Sequence, residues 1–275
     1  MRIDNLSYYN NYNYPVQKQT FRGQVGPVSD VANIIKCNGN TQFFRGDLIW
    51  SKIAAFLDKH FAKADKVTFI NHACSSGEEP YSVVMKLITD LGDRAKKFFP
   101  IIAKDLSPNN IQRAEDGRLL ADYYEKRMIE EMTNKQPEKF VELIPLGNAS
   151  KSSSTQGHLV ITKYKLKNNI EFSVGNALED IKNIPEKNTV LFLRNFWQYL
   201  KPQDRENLMS EIAKKFKDAS SVLFIGVADV DNSNITYLLE KYGFVETEFP
   251  YAYVKSNKPS FYSKYFNPQN EVHLT

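Results

Sequence analysis

Two carboxylates in tandem, Glu78 and Glu79, stand directly after Gly77 at the head of a stretch with helical periodicity, and a third, Asp105, follows a second apolar run. The loop that carries the pair, residues 71–82, leaves a short apolar segment. It is therefore a strand-to-helix connection of the kind that binds ligands at the carboxyl edge of an open α/β sheet. Its single glycine suits a phosphate poorly, because phosphate loops use several glycines so that backbone N–H groups can cradle anionic oxygens. A carboxylate pair suits a ligand that presents positive charge, and S-adenosyl-L-methionine does so with a sulfonium and an α-ammonium. Glu78 and Glu79 are expected to hold that ammonium, directly or through water, and they also favour the positive end of their helix dipole. Asp105 is placed to accept two hydrogen bonds from ribose hydroxyls. The alternative is a helix cap ahead of Ser107-Pro108. Gly77 either lets the backbone approach the ligand closely or makes an ordinary tight turn.

The elements that must position these residues alternate from Asp65 onward, as a parallel sheet with crossover helices requires. Residues 66–70 read as the first strand. Ser76 and Glu79 have capping-box spacing, and Tyr81, Val84, Met85, Ile88 and Leu91 make one helical stripe. Residues 99–103 read as the second strand and 108–118 as a helix with Ile111 and Ala114 inward. Residues 189–193 and 222–227 read as the fourth and fifth strands. Between those two strands Leu208, Ile212 and Phe216 mark one face of a helix over 203–217. Residues 235–242 are helical up to the terminator Gly243, and the alternation Phe249, Tyr251, Tyr253 reads as an antiparallel arm. Residues 138–170 break the alternation: a polar turn at 148–155 lies between strand-like 140–143 and 159–162, which predicts a small β insertion. The fold class expected is α/β, a class I S-adenosylmethionine-dependent methyltransferase fold, Rossmann-like, with a mostly parallel seven-stranded sheet and a small β insertion.

At 275 residues the chain exceeds the usual ~100–200 residues of one domain. Residues 1–30, with the run Tyr8-Tyr9-Asn10-Asn11-Tyr12-Asn13-Tyr14, form either a mobile tail or a recognition segment that folds on a partner. Residues 31–60 are expected to be a reduced helical segment, and 61–275 the main domain with the insertion inside it. The 36 basic residues against 32 acidic ones give no field that argues for nucleic acid. Cys37 and Cys74 make no disulfide framework and fit a reducing cytoplasm. No segment has signal-peptide or membrane-spanning character, so direct membrane insertion is not expected. His60, His72, His158 and His273 show no ligand spacing, and no metal is expected.

Ser75-Ser76-Gly77-Glu78-Glu79-Pro80-Tyr81-Ser82 strongly resembles the Ser-Thr-Gly-Glu-Glu-Pro-Tyr-Ser loop of the CheR family, the chemotaxis-receptor methyltransferases, with seven of eight positions matching. Thr41-Gln42-Phe43-Phe44-Arg45, Ile102-Ala103-Lys104-Asp105-Leu106-Ser107 and Phe192-Leu193-Arg194-Asn195-Phe196-Trp197-Gln198-Tyr199 resemble three further motifs of that family, in its order. The resemblance spans about residues 39–230.

This resemblance implies transfer of a methyl group from S-adenosyl-L-methionine to glutamate side chains of a protein acceptor, such as a chemoreceptor cytoplasmic domain, leaving S-adenosyl-L-homocysteine. It implies that Thr41 and Arg45 fold over the cofactor, that Asn176 and Ala177 lie beside adenine, and that Asn195 and Phe196 border the methionine moiety. Asn176 is equally readable as a turn asparagine after Gly175. Arg45 and Tyr199 are the catalytic candidates. The rigid guanidinium fork of Arg45 is suited to a carboxylate, either that of methionine or that of the acceptor. Tyr199 borders the acceptor or is a core aromatic. In the family the β subdomain binds receptor tail peptides in some members, and the alternative here is a plain surface hairpin. The chain departs from the pattern at Gly39, at Lys104, at Leu193 and in its short amino-terminal layer, which keeps open a cofactor-binding scaffold or sensor without turnover. Methylation of a different protein or a small molecule is a further alternative. A monomer is the expected state.

Overall fold

The structure, a computed structural model, describes residues 41–146 and 157–256. The tail 1–30 and the polar turn 148–155 lie outside the described residues. In chain order the elements are α1 (Trp50–His60), β1 (Thr68–His72), α2 (Glu78–Leu91), β2 (Ile101–Asp105), α3 (Pro108–Asp116), β3 (Arg118–Ala121), α4 (Tyr123–Met132), β4 (Val141–Pro145) and β5 (His158–Thr162). They continue with α5 (Tyr164–Lys167), β6 (Ile170–Val174), α6 (Ala177–Asp180), β7 (Thr189–Leu193), α7 (Pro202–Lys215), β8 (Val222–Ile225), α8 (Val227–Ser233), α9 (Ile235–Lys241), β9 (Phe244–Glu246) and β10 (Ala252–Lys255).

Seven strands form one sheet in the spatial order β6-β2-β1-β7-β8-β10-β9. The first five run parallel, and β10 pairs antiparallel with both β8 and β9. This is the class I methyltransferase architecture expected from the alternation of elements. Strands β7 and β8 are buried along their whole length, as strands covered on both faces must be. On one face Phe69, Phe192 and Phe224 stack with ring centroids 5.0 and 4.5 Å apart, and α1 adds Phe56, 5.0 Å from Phe249. On the other face Ile70, Leu191 and Leu223 pack with Leu208, Ile212 and Phe216, the stripe read from the sequence.

The sheet reverses its order at β1, which pairs with β2 on one side and β7 on the other. Successive connections leave to opposite sides there, and the crevice between them is where ligands bind in such folds.

Several boundaries differ from expectation for identifiable reasons. Strand β1 runs on through Asn71 and His72, two polar residues buried by tertiary partners, and β2 likewise ends at Asp105 rather than Ala103. No capping box starts α2: its N-cap is Gly77, in the left-handed region at φ 97°, while Ser76 Oγ donates to the Glu78 carboxylate at 2.9 Å. Helix α3 stops at Asp116 because Gly117 turns the chain at φ 63°, where a Cβ would lie 1.9 Å from Thr162 Oγ1. Arg118 therefore opens a strand that pairs with β5. The inserted sheet is three-stranded in the order β3-β5-β4 and draws on residues ahead of the expected 138–170 span, whereas Ile170–Val174 belongs to the main sheet. Of the expected arm residues Phe249, Tyr251 and Tyr253, Tyr253 lies in a strand, β10, whereas Tyr251, at φ 62°, belongs to the turn before it.

Candidate functional site

A cavity of ≈ 210 Å³, open on one side, lies at the reversal point of the sheet. Its walls come from the segment before α1 (Thr41, Arg45), the loop after β1 (Ala73, Cys74, Ser75), the first turn of α2 (Glu79), the end of β2 and the start of α3 (Asp105, Asn110), and the loop after β7 (Arg194, Asn195, Phe196, Tyr199). Four segments separate in sequence are thus brought together by one sheet edge.

The loop after β1 is tightly wound, with Ala73, Ser75 and Gly77 at φ 55°, 50° and 97°. Such angles are uncommon outside glycine and persist where surrounding contacts enforce them. At Ser75 that contact comes from Asp105. Its Oδ2 accepts from Ser75 N–H at 2.9 Å, and its Oδ1 accepts from Ser107 N–H at 2.9 Å and from Asn110 Nδ2 at 3.1 Å. Ser107 caps α3, so Asp105 is not the N-cap; it is a carboxylate fixed in orientation at the crevice wall. Gly77 does not line the cavity. A Cβ there would meet Ala114 Cβ at 3.0 Å, Tyr81 Cε2 at 3.1 Å and the Phe172 ring at 3.2 Å, so the glycine makes room for its packing neighbours.

The two glutamates separate in role. Glu78 is 2% exposed, receives the Ser76 hydroxyl and is absent from the cavity wall. Glu79 is on the wall, where Oε1 accepts from Asn71 Nδ2 at 2.7 Å and Oε2 pairs with the Arg194 guanidinium. Arg194 has a fully buried side chain and its other arm pairs with Asp47. Asp47 in turn accepts from Asn195 Nδ2 at 2.9 Å and lies 3.8 Å from Arg45 Nε. The wall therefore presents two carboxylates, Glu79 and Asp105, and two guanidiniums, Arg45 and Arg194, with the Asp47 carboxylate behind it tying Arg45, Arg194 and Asn195 together. Burial first, and then the Asp105 and Glu79 carboxylates, push the Cys74 thiol well above its usual pKa, the direction expected of a negative local potential.

Asn195 sits at φ 56° and lines the cavity, and its Oδ1 has no hydrogen-bond partner. Phe196 is half-buried beside it, at a ring distance of 6.1 Å from the buried Trp197. Tyr199 is 72% exposed at the rim, so it is no core aromatic; Trp197 has that role. Asn176 and Ala177 do not reach the cavity wall. Asn176 caps α6, with Oδ1 accepting from Leu178 N–H at 3.1 Å, and Ala177 is buried in the core on the α7 face. Lys104 points to α6 as well, with Nζ 3.1 Å from Asp180 Oδ2.

Four residues with clear roles went unread in the sequence: Asp47, Asn71, Asn110 and Asp229. Asn71 carried a usable signal, a polar residue inside an apolar strand, and Asp47 another, an acid two places after Arg45. Among the described residues no helix is long and apolar enough to cross a membrane.

Comparison with known proteins agrees with this geometry. The chain is 25% identical over 154 residues to the chemotaxis protein methyltransferase of Salmonella typhimurium, covering 56% of this chain and 48% of that one. It is 29% identical over 155 residues to the chemotaxis protein methyltransferase of Listeria monocytogenes, covering 56% and 50%. The matches thus span about half the length of these curated relatives. Among solved structures, the magnesium protoporphyrin IX methyltransferase of Synechocystis PCC 6803 is similar at 13% identity and a TM-score of 0.35, covering 83% of this chain and 91% of that one, too distant a likeness to bear on function. The model described as CheR methyltransferase, SAM binding domain, matches residues 39–241, so three of the crevice's walls and the fourth segment that closes it all lie inside the match, and the chain belongs to the CheR methyltransferase family.

Proposed function

We propose that this protein binds S-adenosyl-L-methionine across the crevice and methylates a glutamate side chain of a protein acceptor, with a chemoreceptor cytoplasmic domain as the acceptor and the cytoplasm as the compartment. When bound, the cofactor supplies a methyl group on a cationic sulfur. The observation that carries this reading is Asp105: a carboxylate pinned by Ser75, Ser107 and Asn110 at the end of β2 keeps one acceptor position, on Oδ2, for a ribose hydroxyl, and phosphate chemistry would not place it there. Glu79, on the wall beside Asn71 and Arg194, supplies a carboxylate acceptor on the β7 side.

The acceptor carboxylate is already ionised near neutral pH, so no general base is required. The chain's task is alignment and removal of water from the nucleophile. Arg45, about one-third exposed at the mouth and 3.8 Å from Asp47, is suited to orient that carboxylate, and the exposed Tyr199 borders the same opening. Because Arg45 shares Asp47 with Arg194, its charge is tempered, which lets it hold the nucleophile without fully neutralising it.

Calorimetric titration with S-adenosyl-L-homocysteine tests the site. Asp105→Ala is expected to weaken binding by more than tenfold, ~1.4 kcal/mol or about one charge-assisted hydrogen bond. Equal affinities would remove Asp105 from the site. A second reading, cofactor binding without turnover, is favoured by the commitment of Glu79 to Arg194. Acceptor-dependent formation of S-adenosyl-L-homocysteine separates the two.

A further inference from the structure

Asp229, at the start of α8, is fully buried and touches none of the cavity, yet it holds the loop that does. Its Oδ2 accepts from Asn195 N–H at 2.5 Å and from Gly226 N–H at 3.1 Å, and its Oδ1 accepts from Trp197 N–H at 2.8 Å. Burial raises its pKa, and the N–H groups of Gly226, Asn195, Trp197 and Gln198 oppose that rise. Arg205 on α7 holds the same loop by its acceptors: Nε donates to the carbonyls of Trp197 at 2.9 Å and Leu200 at 3.0 Å, and Nη2 donates to that of Gln198 at 3.4 Å. One side chain takes the loop's donors and the other its carbonyls. Gly226 completes the fit, since a Cβ there would lie 2.4 Å from Asn195 Oδ1 and 2.6 Å from Asn195 N. Without such support a non-glycine residue at φ 56° would be free to leave the left-handed region.

We propose that Asp229, paired with Arg205 and relieved by Gly226, is a positioning residue that sets Asn195 and Phe196 for the amino-acid end of the bound cofactor. The inference rests on the cofactor reading given above. It follows from the sheet. Asp105 ends β2 and Asn195 follows β7, with β1 between them, so the two lie about 10 Å apart across the crevice at ~4.8 Å per strand. A ligand with its ribose on Asp105 thus reaches the Asn195 loop with its other end. A loop disturbed on the β7 side should lose the amino-acid end and keep the nucleoside end.

The experiment compares affinities for S-adenosyl-L-homocysteine and for 5′-methylthioadenosine, which lacks the amino-acid portion, in wild type, Asp229→Asn and Gly226→Ala. Wild type binds both. Each variant is expected to weaken S-adenosyl-L-homocysteine by at least tenfold while leaving 5′-methylthioadenosine within about twofold, a split that general loss of stability does not produce. Equal weakening of both ligands, or no weakening of either, overturns the positioning role. Should Asp229→Asn fail to fold, the same split is expected in Arg205→Lys and its absence there overturns the inference equally. A wild type that binds neither ligand overturns the cofactor reading itself, and with it this one.

Discussion

Arg194 is the point at which the crevice is most exposed to a single substitution. Its guanidinium is entirely buried between Asp47 and Glu79, whose side chains are only 14% and 18% exposed, and it lies 5.9 Å from the Phe192 ring centroid. Replacing it with methionine keeps most of the apolar stem and takes from both carboxylates their nearest cation, leaving Glu79 with Asn71 Nδ2 and Asp47 with Asn195 Nδ2 and, at 3.8 Å, Arg45 Nε. Breaking a buried pair by removing one partner typically costs about 3–5 kcal/mol. At ~2–4 °C per kcal/mol for a domain of this size, the melting temperature should fall by roughly 6–20 °C. Differential scanning calorimetry reads this directly. The cause is then isolated by also neutralising the stranded acids in Arg194→Met/Asp47→Asn/Glu79→Gln, where at least half of the lost stability should return because the penalty lies in the unpaired charges. A single variant that loses less than ~1 kcal/mol, or a combined variant that recovers nothing, would show that the network is not the buried charge cluster described.

Two further perturbations have signs fixed by the structure. His72 is 2% exposed and burial, followed by Asp180 and then Lys104, sets its pKa, with the net effect a drop from 6.5 to about 4. The fold therefore favours the neutral ring. Stability should fall as pH drops from 6.5 towards 4 and level off below, by at most ~3 kcal/mol, and His72→Gln should flatten that part of a melting-temperature profile. Gly77→Ala forces a Cβ to 3.0 Å from Ala114 Cβ at a φ of 97°, so it should cost ~1–3 kcal/mol in urea unfolding; unchanged stability would mean that the loop relaxes freely.

What the sequence disclosed and what it hid divide along one physical line. Strand β7 was legible because Val190–Leu193 is an uninterrupted apolar run behind the β-branched Thr189, and α7 because Leu208, Ile212 and Phe216 recur at helical spacing; both depend only on near neighbours. The cavity-lining residues Glu79, Asp105 and Asn195 were legible through local motifs. Asp47 and Asp229 were not, since each acts on a partner far along the chain: Asp47 on Arg194 and Asn195, and Asp229 on the N–H groups of Asn195 and Trp197. Gly77 and Glu78, read from the motif as cofactor contacts, stand behind the wall, because a loop next to a ligand site must pack as well as bind: Gly77 makes room for Ala114, Tyr81 and Phe172, and Glu78 is buried against the Ser76 hydroxyl.

The same line explains why β1 outran its expected end. Asn71 and His72 read as the polar start of a loop, yet both are buried, one bonded to Glu79 and the other 3.9 Å from Asp180. Burying polar strand residues is costly unless every partner is in place, so a fold that concentrates them at one sheet edge sacrifices stability there. Local rules are expected to fail where a chain gives up stability for a site. In this chain the two strands that outrun their expected ends, β1 and β2, are ones whose carboxyl ends border that crevice.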